Sequence, residues 1–332
     1  MKSAIRMTFL LLLTLASLVS GNGQSSQDSQ EEPVIVSTNL VTVNVIVTDS
    51  KGRYVKGLTR NQFEIYDEKT RQEIAHFSDA SPVSLGIVLE VHENATEKTR
   101  AVLAAVKEFA SSLGHRDGFF FVAFGEHGSV TTEFIPSADQ LLNHLKFVKP
   151  GGPSALYDAL YLASERLQKA RNLKKALLVI SDGEDEHSRY SYKELRNRLR
   201  TFDAQIYAIG IADAATDPFA GYGRWVFEDI TRQTGRRSFL MNSDSAMGRA
   251  VLAEMSRVSG GTTYFPETES EPELMGICTQ IASELRQQYT LGFYSHSGDV
   301  KNWHRLKVRV NKAGGTSGLT LSYRQGYQIA GG

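Results

Sequence analysis

The sequence predicts an α/β chain: a doubly wound, mainly parallel sheet inserted in a smaller antiparallel β-rich domain. Three observations lead there. Leu85 to Leu89 (LGIVL), Phe119 to Phe124 (FFFVAF), Ala176 to Ile180 (ALLVI) and Ile206 to Ile211 (IYAIGI) are nearly continuous apolar runs, which suit strands buried on both faces. Helical patterns separate these runs, so the middle of the chain reads β-α-β-α. Toward both ends, apolar residues instead alternate one by one with polar ones, as in half-exposed antiparallel strands. The organisation expected is a signal peptide at 1–21, a flexible linker at 22–33, a sandwich-like β-rich domain from 34–81 and 286–328, and the inserted α/β domain at 82–285.

Lys2 and Arg6 precede an apolar stretch from Met7 to Val19, and Val19-Ser20-Gly21 closes it with small residues. This is the pattern of a secretory signal cleaved after Gly21. The stretch is shorter than the roughly 20 residues of a spanning helix, and no Cys follows to carry a lipid. Export to the periplasm or the exterior as a soluble chain is expected, with a retained signal anchor as the alternative. Asn22 to Glu32, NGQSSQDSQEE, is polar and aperiodic, a linker.

Val41, Val43, Val45 and Val47 then alternate with Thr42, Asn44, Ile46 and Thr48, which predicts a strand with one wetter face. Asp49-Ser50-Lys51-Gly52 supplies a turn, and Phe63 to Tyr66 and Glu73 to Phe77 read as further strands. At the far end, Leu306, Val308 and Val310 alternate with Arg305, Lys307 and Arg309, and Leu319, Leu321 and Tyr323 with Thr320, Ser322 and Arg324.

Between these ends, Val102, Leu103, Val106, Phe109, Ala110 and Leu113 share one helical stripe. Ala138 to Val148, Ala155 to Ala170, Tyr192 to Phe202 and Pro272 to Gln288 follow suit, the last running into a strand at Tyr289 to Tyr294. The lone cysteine, Cys278, cannot form an internal disulfide and shares a stripe with Leu274, Ile277, Ile281 and Leu285, as a packed thiol does. VFEDITRQTGRRSFLMNSDS from Val226 aligns without gaps to VLAEMSRVSGGTTYFPETES from Val251, which suggests a duplicated helix-turn-strand unit enlarging one sheet edge.

Across 332 residues, 37 basic side chains balance 37 acidic ones, so neither nucleic acid nor an anionic membrane is indicated as a partner. The local basic runs, Lys169, Arg171, Lys174 and Lys175, and Arg196, Arg198 and Arg200, are read as solvated helix faces.

In open α/β sheets ligands bind beyond the carboxyl ends of the strands. Three segments of this chain qualify. LLVISDGEDEHS places Asp182 just after a strand and adds Glu184, Asp185 and Glu186. GGPSALYDAL offers Ser154 at a helix start, where its hydroxyl caps the helix or faces a ligand, and Asp158 one turn later. LGIVLEVHEN ends with Glu90, His92 and Asn94 at alternate positions.

With VTVNVIVTDSKGRYVKGLTRNQFEIYDE, ELRQQYTLGFY and YRQGY, these segments resemble the von Willebrand factor A (VWA) family, in particular its secreted VWFA-related acidobacterial type. The resemblance runs from about Leu40 to Tyr327. It implies the doubly wound sheet and binding of a protein or other macromolecule, without catalysis, through a divalent cation, usually Mg²⁺. The family's cation is held by an Asp-x-Ser-x-Ser loop, a Thr and an Asp. By position, Ser154 matches the Thr and Asp182 the Asp, while Glu90, His92 and Asn94 replace the first loop's Asp and two Ser.

Mg²⁺ requires oxygen ligands at about 2.0–2.1 Å in near-octahedral geometry, and the extra methylene of Glu90 displaces its carboxylate by about 1.5 Å. The imidazole of His92 favours zinc, copper, nickel or iron over magnesium. The expectation is therefore a degenerate, metal-free site at Glu90, His92, Asn94, Ser154 and Asp182, in which protonated His92 offsets the facing carboxylates. Mg²⁺ or another divalent cation is the alternative. Glu93, Glu184, Asp185 and Glu186 would form the partner-binding rim. The functions weighed are a secreted or periplasmic adhesion protein, a hydrolase activating water on a metal at Glu90, His92 and Asp182, and a purely structural envelope protein. No His-Glu-x-x-His or Gly-x-Ser-x-Gly motif supports the hydrolase.

Overall fold

The computed structural model describes residues 39–91, 96–114, 116–124, 130–131, 133–135, 140, 143, 154–211, 244–295, 303–311 and 318–329. The chain runs through β1 (Asn39–Thr48), β2 (Phe63–Asp67), β3 (Thr70–Gln72), β4 (His76–Ser78) and β5 (Val83–Glu90). It continues with α1 (Thr96–Ser111), β6 (Gly118–Phe124), β7 (Val130–Thr131), α2 (Leu156–Gln168), β8 (Lys174–Ser181) and α3 (Tyr192–Thr201). Then come β9 (Gln205–Gly210), α4 (Asp244–Ser259), β10 (Thr263–Tyr264), α5 (Glu271–Gln287), β11 (Tyr289–Ser295), β12 (His304–Val310), β13 (Thr320–Ser322) and β14 (Gly326–Tyr327).

The central sheet has the order β10-β9-β8-β5-β6-β7, parallel except for β7. β5, β6, β8 and β9 are buried on both faces because helices cover both. Leu85, Ile87, Leu89, Phe119, Phe121, Leu178 and Tyr207 pack with Val106 and Phe109 of α1 and Leu274, Cys278 and Ile281 of α5. On the opposite face, Val88, Phe120, Leu177, Val179 and Ile206 pack with Leu160 of α2, Leu195 of α3 and Leu252 of α4. Each such fully buried apolar side chain contributes roughly 1.5–3 kcal/mol relative to exposure. The doubly wound sheet expected from the apolar runs is therefore the observed one.

Two antiparallel four-stranded sheets, β13-β1-β11-β4 and β14-β12-β2-β3, enclose the second core. Val41, Val43, Ile65, Leu291, Phe293, Leu306 and Val308 fill it. β1 pairs with β11 (Val43↔Leu291), and β2 with β12 (Val308↔Ile65), so sequence-distant strands meet and the α/β segment is an insertion between them.

Several expectations need correction. β1 has no wet face, since Thr42 and Asn44 are only 3% and 7% exposed. Thr42 Oγ1 donates to Asp203, and Asn44 Oδ1 accepts from Thr290 Oγ1 at 3.0 Å. The polar positions of that strand are paired across elements rather than hydrated. Glu73 to Phe77 is not one strand: β3 ends at Gln72 and β4 begins at His76, and the two belong to different sheets. Apolar alternation cannot reveal such a crossing, because β3 (TRQ) has no apolar residue and β4 (HFS) only Phe77.

Lys174 does not lie on a solvated helix face. It opens β8, is 1% exposed, and its Nζ donates to Leu285 O at 2.9 Å near the C-terminus of α5. Burial pushes its pKa down to about 8, with the Asp117 charge pulling the other way. The expected helix at 138–148 and the first repeat copy at 226–245 lie outside the described residues. The second copy forms α4, a turn and β10, and β10 is an edge of the central sheet. Among the described residues no helix is long and apolar enough to cross a membrane.

Candidate functional site

Parallel pairing of β5 with β8, with Leu89 level with Ile180, brings the carboxyl ends of both strands side by side. Glu90 therefore reaches the residues that end β8. Its Oε2 accepts from Ser181 Oγ at 2.7 Å and from Asp182 N at 3.3 Å. Ser181 Oγ in turn accepts from Gly183 N at 2.9 Å.

The approach to α2 joins the same rim. Ser154 Oγ donates to Glu184 O at 2.9 Å, and Ser154 O accepts from the backbone of Glu186 and His187, both at 2.9 Å. Sequence reasoning left the Ser154 hydroxyl to cap a helix or face a ligand, and here it ties one loop to another. The cap of α2 comes from elsewhere. Ala155 occupies the N-cap position, and Asp185 Oδ1 accepts from Tyr157 N at 2.9 Å and from Ser188 Oγ at 2.6 Å. A carboxylate at a helix N-terminus also meets the positive end of the helix dipole. Burial, then the Asp185 charge, pushes the Tyr157 pKa up to about 12.

Asp158 fastens the far side of the loop, accepting from Arg189 N and Nε at 2.9 Å and from Tyr190 N at 3.2 Å. Asp182 Oδ1 accepts from Glu184 N at 2.8 Å, a local turn that sets the bend. Gly183 there has φ +86°, and a Cβ on it would stand 2.2 Å from Gly248 O of α4. Conversely, a Cβ on Gly248 would stand 2.6 Å from Asp182 O. Two glycines thus let a helix and the acidic loop touch backbone to backbone. Gly248 was missed by sequence reasoning, although a glycine inside a helical pattern is the signal for such an approach.

The structure brings together Glu90, Ser154, Asp182, Glu184 and Asp185. Glu186 is exposed, with its Oε2 3.9 Å from His187 Nδ1. His92, Glu93 and Asn94 lie outside the described residues. The described groups of the expected cation site are hydrogen-bonded within the protein. Glu90 Oε2 already takes two protein donors, the Ser154 hydroxyl proton goes to a carbonyl, and Asp182 Oδ1 takes a backbone N–H. No group of three or more His, Cys, Asp or Glu among the described residues is placed to hold a metal ion.

Residues 85–220, which include β8, the rim loops and most of β5, match the family model of the von Willebrand factor type A domain. The chain carries a VWA domain. Similar solved structures include the conserved hypothetical protein BatB from Bacteroides thetaiotaomicron, at 14% identity and TM-score 0.43, covering 61% of this chain and 98% of that one. The pilus adhesin SpaC from Lactobacillus rhamnosus GG, in an open conformation, is similar at 11% identity and TM-score 0.47, over 85% of this chain and 49% of SpaC. A von Willebrand factor type A protein from Catenulispora acidiphila is similar at 11% identity and TM-score 0.45, over 89% of this chain and 75% of that one.

Proposed function

We propose that the VWA domain is a binding module of a secreted or periplasmic adhesion protein, of the VWFA-related acidobacterial kind, which grips a macromolecular partner through its carboxyl-edge rim without a metal. The observation that carries the reading is the bracing of that rim. Glu90 joins β5 to β8, Ser154 joins the α2 approach to the acidic loop, and Asp185 caps α2 from that loop. A surface already held in one arrangement loses little conformational freedom on binding, which favours affinity. Acids spent on bracing are also not poised for proton transfer, so binding rather than turnover is the reading.

Asp182, Glu184 and the exposed Glu186 would present negative charge to a partner, and Glu93, three residues after Glu90 in sequence, is expected to add to it. A metal-free rim also accounts for the replacement of compact hydroxyl ligands by His92 and Asn94. The test compares capture of envelope proteins by wild type, Asp182→Ala and Glu186→Lys, each with and without EDTA, together with calorimetric titration of Mg²⁺, Mn²⁺ and Zn²⁺. Capture that resists EDTA and drops in both variants is expected. Loss in EDTA with saturable Mg²⁺ binding would replace this reading by a cation-dependent one. Capture identical in all three proteins would leave a structural envelope role.

A further inference from the structure

The sandwich carries a second organised surface, far in sequence from the rim. Along β12, Leu306, Val308 and Val310 are buried while Arg305, Lys307 and Arg309 are exposed. Residues directly opposite in an antiparallel pair share a face, so the register fixes what surrounds these cations. Lys307 stands opposite Tyr66, and Tyr66 opposite Arg71 of β3, a row across three strands. Arg309 stands opposite Glu64, and its guanidinium lies 5.1 Å from the centroid of the Tyr66 ring.

The carboxylates on this face are engaged within it. Glu64 accepts from Tyr66 Oη at 3.0 Å and meets Arg71 at 3.5 Å, and Glu68 Oε1 accepts from Arg305 N at 2.8 Å. Arg71, Arg305, Lys307 and Arg309 thus stand against Glu64 and Glu68, a local cationic excess in a chain that is neutral as a whole. Lys307 makes no ion pair among the described residues. Arg71 also lines a groove of about 560 Å³, where Arg60 and Arg71 outnumber Glu73 among the charged lining residues and Phe63 and Ile74 supply apolar wall. β3 itself is the last strand of its sheet among the described residues.

We propose that this face is a docking surface for an extended acidic peptide segment of a partner protein, one that carries carboxylates on alternate residues. The argument is commensurability. Side chains on one face of a strand repeat about every 6.7 Å, so the cations at 305, 307 and 309 form an array with the same repeat as the alternate side chains of an extended partner. Each carboxylate meets its own cation without bending either chain, and Arg71, level with Lys307 two strands to the side, adds positive charge beside that path. A blocked run of acids has half that repeat and leaves every second charge unmatched.

The test uses the full chain and fluorescent synthetic peptides. One probe alternates Glu with Ser. A second has the same composition with its Glu residues in one block, a third is a helix former with Glu at every fourth position, and inorganic polyphosphate is a competitor. The alternating probe is expected to bind at least about tenfold more tightly than the others, to weaken with salt, and to lose about tenfold in affinity in Lys307→Glu combined with Arg309→Glu. Arg71→Glu, on another strand, repeats the test if the double variant does not fold. Asp182→Ala at the rim leaves this binding unchanged. Equal binding of the block peptide, the helix or polyphosphate would reduce the face to a general polyanion surface and overturn the proposal, as would equal binding by the charge-reversed variants.

Discussion

The two sheet systems handle polar chemistry in opposite ways. The central parallel sheet is covered by helices on both faces, so the middles of β5, β6, β8 and β9 are almost wholly apolar, and at the carboxyl edge the polar groups collect at the strand ends and just past them, at Glu90, Ser181 and Asp182. In the sandwich, β12 has one face in the core and one in solvent, so its charged residues stand on the face of the strand itself. Coverage therefore decides where a binding surface can exist: at the rim of a doubly covered sheet, and on the open face of a singly covered one.

Breaking the rim should have the largest effect. Gly183→Ala forces a Cβ against the Gly248 backbone at a positive φ, and a loss of about 3 kcal/mol or more is expected, measured by denaturant unfolding. A variant within ~0.5 kcal/mol of wild type would mean that the loop and α4 are not in contact. Leu85→Ala, at a position covered on both sides, should cost about 2–5 kcal/mol, whereas Lys307→Ala on the open face should stay within ~0.5 kcal/mol. Similar costs at the two positions would dissolve the contrast.

Lys174 sharpens it, as a cation inside the covered sheet. Its folded-state pKa is lowered from 10.5 to about 8, so between those values the unfolded chain binds more protons and stability rises with pH. The rise amounts to a few kcal/mol at most. In Lys174→Met that increment should vanish, as a difference between the two proteins' urea midpoints at pH 7 and pH 10. A difference independent of pH would mean that the ammonium is hydrated. A smaller effect than the loop glycine's is expected for Ser181→Ala, which removes one donor to Glu90 and one acceptor for Gly183 N, at about 1–2 kcal/mol.

Much of this architecture is legible in the residues because burial dictates composition directly. LGIVL, FFFVAF and ALLVI fit doubly covered strands, and the alternation of charged with apolar residues from Arg305 to Val310 fits a strand with one wet face, as observed. Cys278 read as a packed thiol is 1% exposed, with burial pushing its pKa up to about 12. The candidate site was legible as a location, since Glu90, Ser154 and Asp182 do meet at one rim. Their bonding was not. That Ser154 donates to Glu184 O, or that Asp185 caps a helix from another loop, depends on which atoms face each other after the loops close.

Buried polar residues mark the same boundary. Glu284 of α5 is 7% exposed and accepts from Tyr264 Oη at 2.7 Å, and burial raises its pKa. Asp67 accepts from Tyr327 Oη at 2.8 Å within the sandwich. Neither is distinguishable in sequence from a solvated carboxylate. Side-chain periodicity by itself marked the doubly covered strands of the central sheet and the open face of β12, because transfer of apolar surface from water is a property of each residue alone. It did not mark the covering of β1, because burial of Thr42 and Asn44 depends on their partners. Only the tertiary structure decided which polar atoms become partners, because a hydrogen bond needs two groups within about 3 Å, and those groups here come from segments tens of residues apart.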